Sequence, residues 1–272
     1  MKKDLSKYLI VSDVDGTLMR AGKPIPRANT EYIRQFIEKG GNFTLCTGRG
    51  VQATRALAKE LGLRIPVILC NGGILYDFSR EKAAYQRVLD PDYKTLVEDI
   101  VSEFPDVGYE LIGGDDIYTP RNNEQIDSHL STFGLHWVMQ PLGSISRKMN
   151  KILFAAESGT IEKIIVYYEK RASGDPVFRK YVWAQTSPTY FEVMPSGVNK
   201  GAGLMKLAEL LGIKQRNTSA IGDFQNDLPL LEAAGTAVVV ANAPDWLKKK
   251  ADVVVGECLD GGVGQYISRF LV

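Results

Sequence analysis

The sequence predicts an α/β protein in which a doubly wound parallel sheet is interrupted by an inserted α+β domain. Short β-branched runs alternate with helical periodicities near both ends of the 272-residue chain, and this alternation is typical of a parallel sheet wound with helices. The middle of the chain differs, because longer amphipathic helices and more aromatic residues occur there. We therefore expect the two ends to form one domain and the middle to form another.

The first part of the chain predicts three strands separated by two helices. The elements are, in order, a strand over 8–11, a helix marked by Ile33, Phe36 and Ile37, a strand over 43–46, a helix that ends at 61 and a strand over 67–70. Apolar residues three and four positions apart share one face of a helix, which is the basis for the helical assignments.

The last part of the chain repeats the scheme. The spacing of Leu204, Leu207, Ala208 and Leu211 predicts a long helix. Strand-like runs follow at 219–221, 237–240 and 252–255. Glycines at 62, 212 and 235 are predicted to end helices, because glycine adopts the left-handed conformation common after a last helical turn.

The predicted insert covers residues 83–190, which leaves 1–82 and 191–272 for the core. Helical spacing marks residues 93–104 and 161–168, and strand-like runs cover 107–112 and 151–156. Residues 84–190 carry 14 aromatic residues against 11 in the rest of the chain. A small domain that needs bulky core residues and the aromatic lining of a ligand cleft are both consistent with this enrichment.

Composition excludes several classes of protein. The 33 basic and 32 acidic residues give a net charge of +1, so nothing draws the whole chain to nucleic acid or to an anionic membrane. The chain has no run of roughly 18 apolar residues, the length that a membrane span needs. Its three cysteines are odd in number and lack CxxC spacing, which favours reduced thiols and a cytoplasmic location.

The first motif, Asp13-Val14-Asp15-Gly16-Thr17-Leu18, follows the first predicted strand. Ligand sites of α/β sheets lie at the ends of parallel strands. A hairpin turn at Asp15-Gly16 is the alternative, but too few residues follow for a return strand. An EF-hand calcium loop is excluded, because Leu18 and Pro24 stand where that loop needs glycine and glutamate. The motif therefore indicates a functional site.

The second motif, Thr47-Gly48-Arg49, leads from a predicted strand into a helix. A hydroxyl and free backbone N–H groups at such a position can hold a phosphate. It lacks the glycine-lysine-serine of a P-loop, so by itself the motif is weak, and the glycine could simply form a turn.

The third motif is Asn199-Lys200-Gly201, at the start of a long amphipathic helix. A lysine there opposes the helix dipole, which favours anions at the first turn. An ordinary surface lysine is the simpler interpretation when this motif is taken alone.

The fourth motif covers 221–227 and contains Gly222, Asp223, Asn226 and Asp227. The two aspartates are four residues apart, so a turn or a first helical turn can point both carboxylates in one direction. A capped helix start explains one aspartate, but not this combination.

Together the four motifs resemble, in order, those of the haloacid dehalogenase superfamily, specifically the Cof-like phosphatases of subfamily IIB. Asp13–Leu18 resembles the first motif of that family, Thr47–Arg49 the second, Lys200 the third and Gly222–Asp227 the fourth. The resemblance implies a Rossmann-like core with a large α/β cap between the second and third motifs. The cap would supply contacts to the leaving group and exclude water.

Two further segments extend the resemblance. Asn71-Gly72-Gly73 resembles the Asn-Gly-Ala segment of the family, and Ala241-Asn242-Ala243 resembles its Gly-Asn-Ala segment. Each differs from the family at one position.

The resemblance also implies roles for the acidic residues. Asp13 would attack phosphorus to form an aspartyl-phosphate, and Asp15 would act as the general acid and base. Mg²⁺ would be bound by the side chains of Asp13 and Asp223 and by the backbone carbonyl of Asp15. Asp227 would orient a water ligand of the metal, or Lys200.

The phosphate-binding residues follow from the same resemblance. Thr47, the Gly48 amide, Lys200 and Asn226 would bind the phosphoryl oxygens and stabilise the charge that spreads over them in the transition state. Asn71 is assigned to phosphate binding as well.

The expected activity is Mg²⁺-dependent hydrolysis of a small phosphorylated metabolite, a sugar phosphate above all. A phosphomutase is one alternative, and an aspartyl-phosphate signalling or binding module is another. The second acid of the first motif and the large insert favour hydrolysis over a long-lived phosphorylated state. We expect no nucleic-acid or membrane partner, and a monomer or a weak homodimer.

Three ionisable residues outside the motifs are noted. His129 and His136 are the two histidines of the chain, and both fall in the insert. We expect them to be structural. Glu192, in the strand-like run 190–194, could face a ligand cleft or could be a solvated acid at an edge.

Overall fold

The structure, a computed structural model, describes residues 4–20 and 22–271. Its contacts divide these residues into two units. The first unit contains the described residues up to Arg49, Arg55–Tyr85 and the residues from Asn199 onward, and the second contains Gly50–Thr54 and Gln86–Val198.

The chain begins with alternating strands and helices. The elements up to residue 86 are β1 (Leu9–Ser12), α1 (Arg27–Glu38), β2 (Asn42–Leu45), α2 (Val51–Leu61), β3 (Val67–Leu69), β4 (Ile74–Asp77) and β5 (Lys82–Gln86). In α1 the predicted stripe of Ile33, Phe36 and Ile37 is buried. All four residues of β1 are buried, as expected of a strand that is covered on both faces.

The elements of the insert and of the last part continue the series. The insert contains α3 (Tyr93–Glu103), β6 (Gly108–Gly113), β7 (Asp116–Arg121), α4 (Glu124–Phe133), β8 (Lys151–Ala155), α5 (Ser158–Gly174), β9 (Tyr181–Ser187) and β10 (Tyr190–Pro195). The last part contains α6 (Lys200–Leu211), β11 (Thr218–Gly222), α7 (Leu228–Ala233), β12 (Thr236–Val240), α8 (Asp245–Lys248), β13 (Val253–Val255) and α9 (Gly262–Ser268). Single turns of 3₁₀ helix cover Leu5–Lys7, Cys70–Gly72, Leu142–Ser144, Phe178–Lys180, Gln215–Asn217, Gln225–Asp227 and Cys258–Asp260.

A five-stranded parallel sheet forms the centre of the first unit, in the order β13-β12-β11-β1-β2. Ser12, the last residue of β1, is in register with Leu45 of β2 and with Ile221 of β11. The carboxyl ends of these three strands therefore lie side by side, and the first, second and fourth motifs follow directly from them. The predicted α/β fold with its parallel sheet is confirmed.

Strand β3 departs from the simplest expectation for a parallel sheet. It belongs to a separate three-stranded sheet with β4 and β5, in which it pairs antiparallel with β4. An isolated parallel bridge between Cys46 and Ile68 connects it to the region after β2.

The insert contains a five-stranded antiparallel sheet in the order β7-β6-β8-β10-β9. Apolar residues of α3 and α5 form one buried cluster with Leu111, Phe154 and Phe191 of this sheet. The insert is thus an α+β unit with a core of its own. The sequence boundary after residue 190 assigned Glu192 to the core, whereas its strand β10 pairs with β8 and β9 inside the insert.

Of the three glycines predicted to end helices, two do so in the structure and one does not. Gly62 and Gly212 adopt positive φ angles of 66° and 65° after α2 and α6, as predicted. The prediction that Gly235 ends a helix was wrong, because α7 ends at Ala233 and is followed by Ala234 in an extended conformation. A Cβ on Gly235 would lie 2.4 Å from the carbonyl oxygen of Gln215, so close backbone packing is what requires this glycine.

Within residues 4–20 and 22–271, the helices fall short of what crossing a membrane requires in length and apolar character.

Candidate active site

The first motif begins where β1 ends. The Asp13 N–H donates to the carbonyl oxygen of Ile221, 2.9 Å away, so the pairing of β1 with β11 continues for one more residue. The chain then turns sharply, because the N–H groups of Leu18 and Met19 both donate to the Val14 carbonyl oxygen at 3.0 Å. Asp13 is buried. The turn holds its carboxyl group at the end of the central strand.

A buried ion cluster joins three of the predicted site residues. Lys200 Nζ donates to Asp13 Oδ1 at 2.6 Å and to Asp227 Oδ1 at 2.5 Å. Its side chain is only 1% exposed. The sequence separations are 187 and 27 residues, so the tertiary fold creates this cluster. The interpretation of Lys200 as an ordinary surface lysine is wrong.

Local structure places Lys200 at the first position of α6. The side chain of Asn199 caps the helix, since its Oδ1 accepts a hydrogen bond from the Ala202 N–H at 2.8 Å. The positive end of the helix dipole disfavours a cation there. Two carboxylates within hydrogen-bond distance outweigh that effect.

The fourth motif supplies the carboxylates on the other side of the cluster. Asp223 follows β11, and its Oδ1 accepts a hydrogen bond from Thr17 Oγ1 at 2.7 Å. Asp227 ends a turn of 3₁₀ helix, and its Oδ2 accepts hydrogen bonds from the N–H groups of Asp223 and Phe224 at 3.0 and 3.2 Å. Asp227 therefore holds both Lys200 and the backbone of its own loop.

Close approach of the first and fourth motifs depends on Gly16. Its φ of +90° lies in the region that favours glycine, and a Cβ there would be 2.4 Å from Asp223 Oδ2. The backbone of the first motif can pack against the Asp223 carboxylate for this reason.

The electrostatics of the cluster reflect an excess of buried negative charge. Burial, together with the neighbouring carboxylates of Asp227 and Asp223, raises the pKa of Asp13 against the opposing effect of Lys200. Burial also raises the pKa of Asp223 to about 6. A positive charge bound among these carboxylates would relieve both effects.

Asp13, Asp223 and Asp227 each offer a carboxylate oxygen, and these oxygens lie within 4.8 Å of one another. Such a set of hard oxygen donors could hold a metal ion. The side chain of Asp15 is not part of this group. The prediction for Asp15 was that its backbone carbonyl, and not its side chain, binds the metal.

Asp15 is bound by a residue of the second motif. The guanidinium group of Arg49 donates from Nε to Asp15 Oδ2 at 2.9 Å and from Nη2 to Oδ1 at 2.5 Å. The motif containing Arg49 was recognised in the sequence, but the residue received no role. The available signal was the position of Arg49 itself, a cation next to the hydroxyl and N–H donors of Thr47 and Gly48.

The predicted phosphate-binding residues of the second motif lie beside Asn71. Thr47 is buried after β2, and the Asn71 N–H donates to its carbonyl oxygen at 3.0 Å. A Cβ on Gly48 would lie 3.1 Å from Asn71 Oδ1. Asn71 is buried in a left-handed conformation with φ of 55°. The structure thus brings Thr47, Gly48 and Asn71 together.

Two asparagines lie in or contact the motifs of the site. Asn226 is half-buried in the 3₁₀ turn Gln225–Asp227. Asn242 donates from Nδ2 to the Gly16 carbonyl oxygen at 2.9 Å, and its Oδ1 accepts from the Cys258 N–H at 2.9 Å. Asn242 therefore holds the loop of the first motif, a role that its sequence segment did not indicate.

Glu192, His129 and His136 all belong to the second unit. Glu192 is buried and accepts a hydrogen bond from Lys151 Nζ at 2.8 Å, so it is not a solvated edge acid. His129 Nδ1 lies 2.8 Å from Oε1 of the buried Glu110. His136 is exposed.

Comparison with known proteins gives the family of the chain. Residues 10–267 match the family described as haloacid dehalogenase-like hydrolase. The chain belongs to this family. Because the match spans all four motifs, the cluster around Asp13 is the candidate active site of a haloacid dehalogenase-like hydrolase.

Related hydrolases of known name and structure match over nearly the full length. A 5-amino-6-(5-phospho-D-ribitylamino)uracil phosphatase of Bacillus subtilis is 27% identical over 272 residues, which cover 100% of this chain and 98% of the relative. A pyridoxal phosphate phosphatase of Escherichia coli is 25% identical, with 98% and 100% covered. A haloacid dehalogenase-like hydrolase structure from Bacteroides thetaiotaomicron superposes with a TM-score of 0.86 at 24% identity, over 96% of this chain and 98% of that one.

Proposed function

We propose that this hydrolase is a Mg²⁺-dependent phosphatase that cleaves a small phosphorylated metabolite through an aspartyl-phosphate on Asp13. One observation carries the proposal: the Asp13 carboxyl group at the end of β1 is bound by the buried Lys200 and lies beside Asp223 and Asp227. Two curated relatives that match the whole chain are named phosphatases, which supports the same reaction class.

Magnesium fits the donor set of the site. The side chains of Asp13 and Asp223 would hold the ion, with the backbone carbonyl of Asp15 as the third protein ligand, because hard oxygen donors are what Mg²⁺ prefers. When bound, Mg²⁺ would neutralise the charge of the phosphate and of the attacking carboxylate. Asp227 would orient Lys200, to which it is hydrogen-bonded.

In the first step a carboxylate oxygen of Asp13 attacks phosphorus. The bond from phosphorus to the leaving oxygen breaks, and the carboxylic acid of Asp15 gives its proton to that oxygen. Lys200, Thr47 and the Gly48 N–H would bind the phosphoryl oxygens during transfer, with Asn226 and Asn71 completing the phosphate site.

In the second step water attacks the same phosphorus. Asp15, now a carboxylate, takes one proton of the water, the Asp13–phosphorus bond breaks and inorganic phosphate leaves. Asp13 and Asp15 return to their starting protonation states. Splitting one difficult displacement into two steps is the benefit of a covalent nucleophile.

The substrate that we propose is the phosphate ester of a primary alcohol, with sugar phosphates as the leading class. The two curated relatives are named for phosphorylated ribitylaminouracil and for pyridoxal phosphate. In both compounds the phosphate is carried by a CH₂ group, as it is in hexose 6-phosphates.

Phosphate release from a panel of phosphorylated compounds tests the proposal. The panel contains sugar phosphates, pyridoxal phosphate and nucleotides, each assayed with Mg²⁺ or EDTA, beside the Asp13→Asn protein. We expect turnover that requires Mg²⁺ and is lost in the variant. Isomerised sugar phosphate with little free phosphate would indicate a phosphomutase instead. A phosphorylated protein that survives for minutes would indicate a signalling module.

A further inference from the structure

The second motif contains an arginine to which the proposed mechanism assigns no role. Arg49 forms two parallel hydrogen bonds to Asp15, Nε to Oδ2 at 2.9 Å and Nη2 to Oδ1 at 2.5 Å. A guanidinium group matches a carboxylate in this two-point geometry, whereas an ammonium group offers a single point charge. The pair therefore fixes the plane of the Asp15 carboxylate as well as its position.

Arg49 is the anchored member of this pair. Its N–H donates to Thr47 Oγ1 at 3.2 Å, and its carbonyl oxygen accepts from the Cys70 N–H at 3.0 Å. Its side chain is 12% exposed, against 42% for Asp15. A largely buried arginine with a hydrogen-bonded backbone thus holds a more exposed aspartate.

Asp15 needs such an anchor because other binding groups lie close to it. The next residue, Gly16, packs so closely against Asp223 that an added Cβ would lie 2.4 Å from Asp223 Oδ2. Asp223 in turn belongs to the group of carboxylates that could hold a metal. A carboxylate released from Arg49 would be free to turn toward a cation bound there.

We propose that Arg49 is a positioning residue that keeps the Asp15 carboxylate off the metal-binding carboxylates and available for proton transfer. This inference rests on the proposed phosphatase function. Arg49→Lys keeps the positive charge but loses the second hydrogen bond, and Arg49→Gln removes the charge. Arg27→Lys is the matched control, since Arg27 pairs with Glu31 at 2.6 Å in the same unit but is 91% exposed.

The kinetic test uses two substrates with different leaving groups. An alkyl phosphate needs a proton on its leaving oxygen, whereas p-nitrophenolate leaves without one. For the alkyl phosphate we expect kcat of Arg49→Lys to fall about 10²-fold, with KM changed less than about threefold. With p-nitrophenyl phosphate we expect a burst of about one equivalent of p-nitrophenolate per enzyme, because Asp13 is still phosphorylated while hydrolysis of the intermediate is slow.

The second readout is binding of Mn²⁺ in the absence of substrate, followed by electron paramagnetic resonance. In Arg49→Gln the released Asp15 carboxylate would join the site, so we expect Mn²⁺ to bind about tenfold more tightly than in the wild type or in Arg27→Lys. A retained kcat, a loss confined to KM, or an unchanged Mn²⁺ affinity would each overturn the proposal.

The two proposals fail in different ways. If the wild-type protein releases phosphate from no compound in the presence of Mg²⁺, the proposed function and the proton-transfer role of Asp15 are wrong, and the Mn²⁺ titration tests only whether Arg49 keeps Asp15 off the metal. If the wild type is active and the Arg49 variants behave like Arg27→Lys, the function stands and the positioning role is wrong.

Discussion

Lys200 balances the buried negative charge around Asp13. Its ammonium group is hydrogen-bonded to both Asp13 and Asp227, at 2.6 and 2.5 Å, and is almost fully buried. The same residue position, at the first turn of a helix, would be unfavourable for a cation without these partners. The charge balance of this buried cluster therefore depends on one side chain, which the proposed mechanism also uses.

Replacing Lys200 should destabilise the protein. Lys200→Met leaves two buried carboxylates without their cation, and breaking a buried ion pair in this way costs about 3–5 kcal/mol. Urea denaturation measures the free energy of unfolding. Lys206→Met is the control on the same helix, because Lys206 pairs with Glu209 at 3.1 Å near the surface, where such a pair contributes about 0–1 kcal/mol. Equal losses in the two variants would contradict the electrostatic explanation.

Substitutions at Gly16 and Gly40 separate the cost of close packing from the cost of backbone strain. Gly16→Ala introduces a Cβ at 2.4 Å from Asp223 Oδ2 at a φ of +90°. Gly40 has the same φ of +90° but nothing within 4 Å of its added Cβ. We expect Gly40→Ala to cost about 1 kcal/mol from strain alone. Gly16→Ala should cost about 1–3 kcal/mol more, since overpacking adds to strain. Thermal unfolding of both variants measures the difference.

At the scale of elements, the start of α3 in the insert is tied to the start of β9. Tyr181 donates its hydroxyl hydrogen to Asp92 Oδ1 at 2.6 Å, and Lys180 forms an ion pair with the same carboxylate. Burial acts to raise the pKa of Asp92, but the hydrogen bonds from Lys180 and Tyr181 prevail and lower it. The carboxylate form of Asp92 therefore stabilises the insert.

This contact should make the insert sensitive to acid. Because the folded pKa of Asp92 is below the ordinary value of 3.8, its contribution to stability is present above that value and is lost as the pH falls through the folded pKa. Asp92→Asn should cost about 0.5–1 kcal/mol at about pH 7 and less at about pH 2, where more of the Asp92 carboxylate is protonated. Urea denaturation of wild type and variant at both pH values is the measurement. A cost that is undiminished in acid would show that packing, and not charge, holds the two elements together.

The sequence predicted those helices that bury one apolar face and those strands whose residues are mostly apolar and all buried. Helix α1 and strand β1 show such patterns clearly. Strand β7 contains Pro120, a residue that is unfavourable inside a sheet, and it is tolerated because β7 is at the edge of its sheet. The residues of β5 alternate between exposed and half-buried. Such a strand has too little apolar signal to be recognised.

The family resemblance predicted that Asp227 orients a water ligand or Lys200, and Lys200 is hydrogen-bonded to Asp227. Two other pairs of the candidate site were not predicted. Spacing alone indicated the aspartates at the ends of β1 and β11. The pairing of Arg49 with Asp15 joins residues 34 positions apart, and that of Thr17 with Asp223 joins residues 206 positions apart. Both depend on which strands are neighbours in the sheet. A single sequence contains no local pattern for that information.

At the scale of the whole molecule, the buried Asp223 carboxylate of the candidate site is unfavourable for stability. Burial raises the pKa of Asp223, and its negatively charged neighbour Asp227 adds to the effect. A carboxylate kept at such a position is unfavourable until a cation binds.

Asp223→Asn should therefore stabilise the metal-free protein and abolish its response to metal. The amide removes one buried negative charge, while its oxygen can still accept the hydrogen bond from Thr17. We expect a gain of about 1 kcal/mol in EDTA, as for other substitutions that remove functional charge. Added Mg²⁺ should raise the Tm of the wild type by mass action but leave the variant unchanged. A lower Tm of the variant in EDTA would contradict this account.

The order of strands in the core sheet also determines how long β1 must wait for its partner strand while the chain is synthesised. Strand β1 lies between β2 and β11, yet the contact of Thr17 with Asp223 spans 206 residues. At about 5–20 residues per second, a ribosome needs roughly 10–40 s to make that stretch. During this interval β1 has no β11 on one of its edges, and for most of it Asp13 has no Lys200 to pair with. The nascent chain therefore exposes one edge of a strand that is fully buried in the finished protein, and we expect a chaperone to bind there.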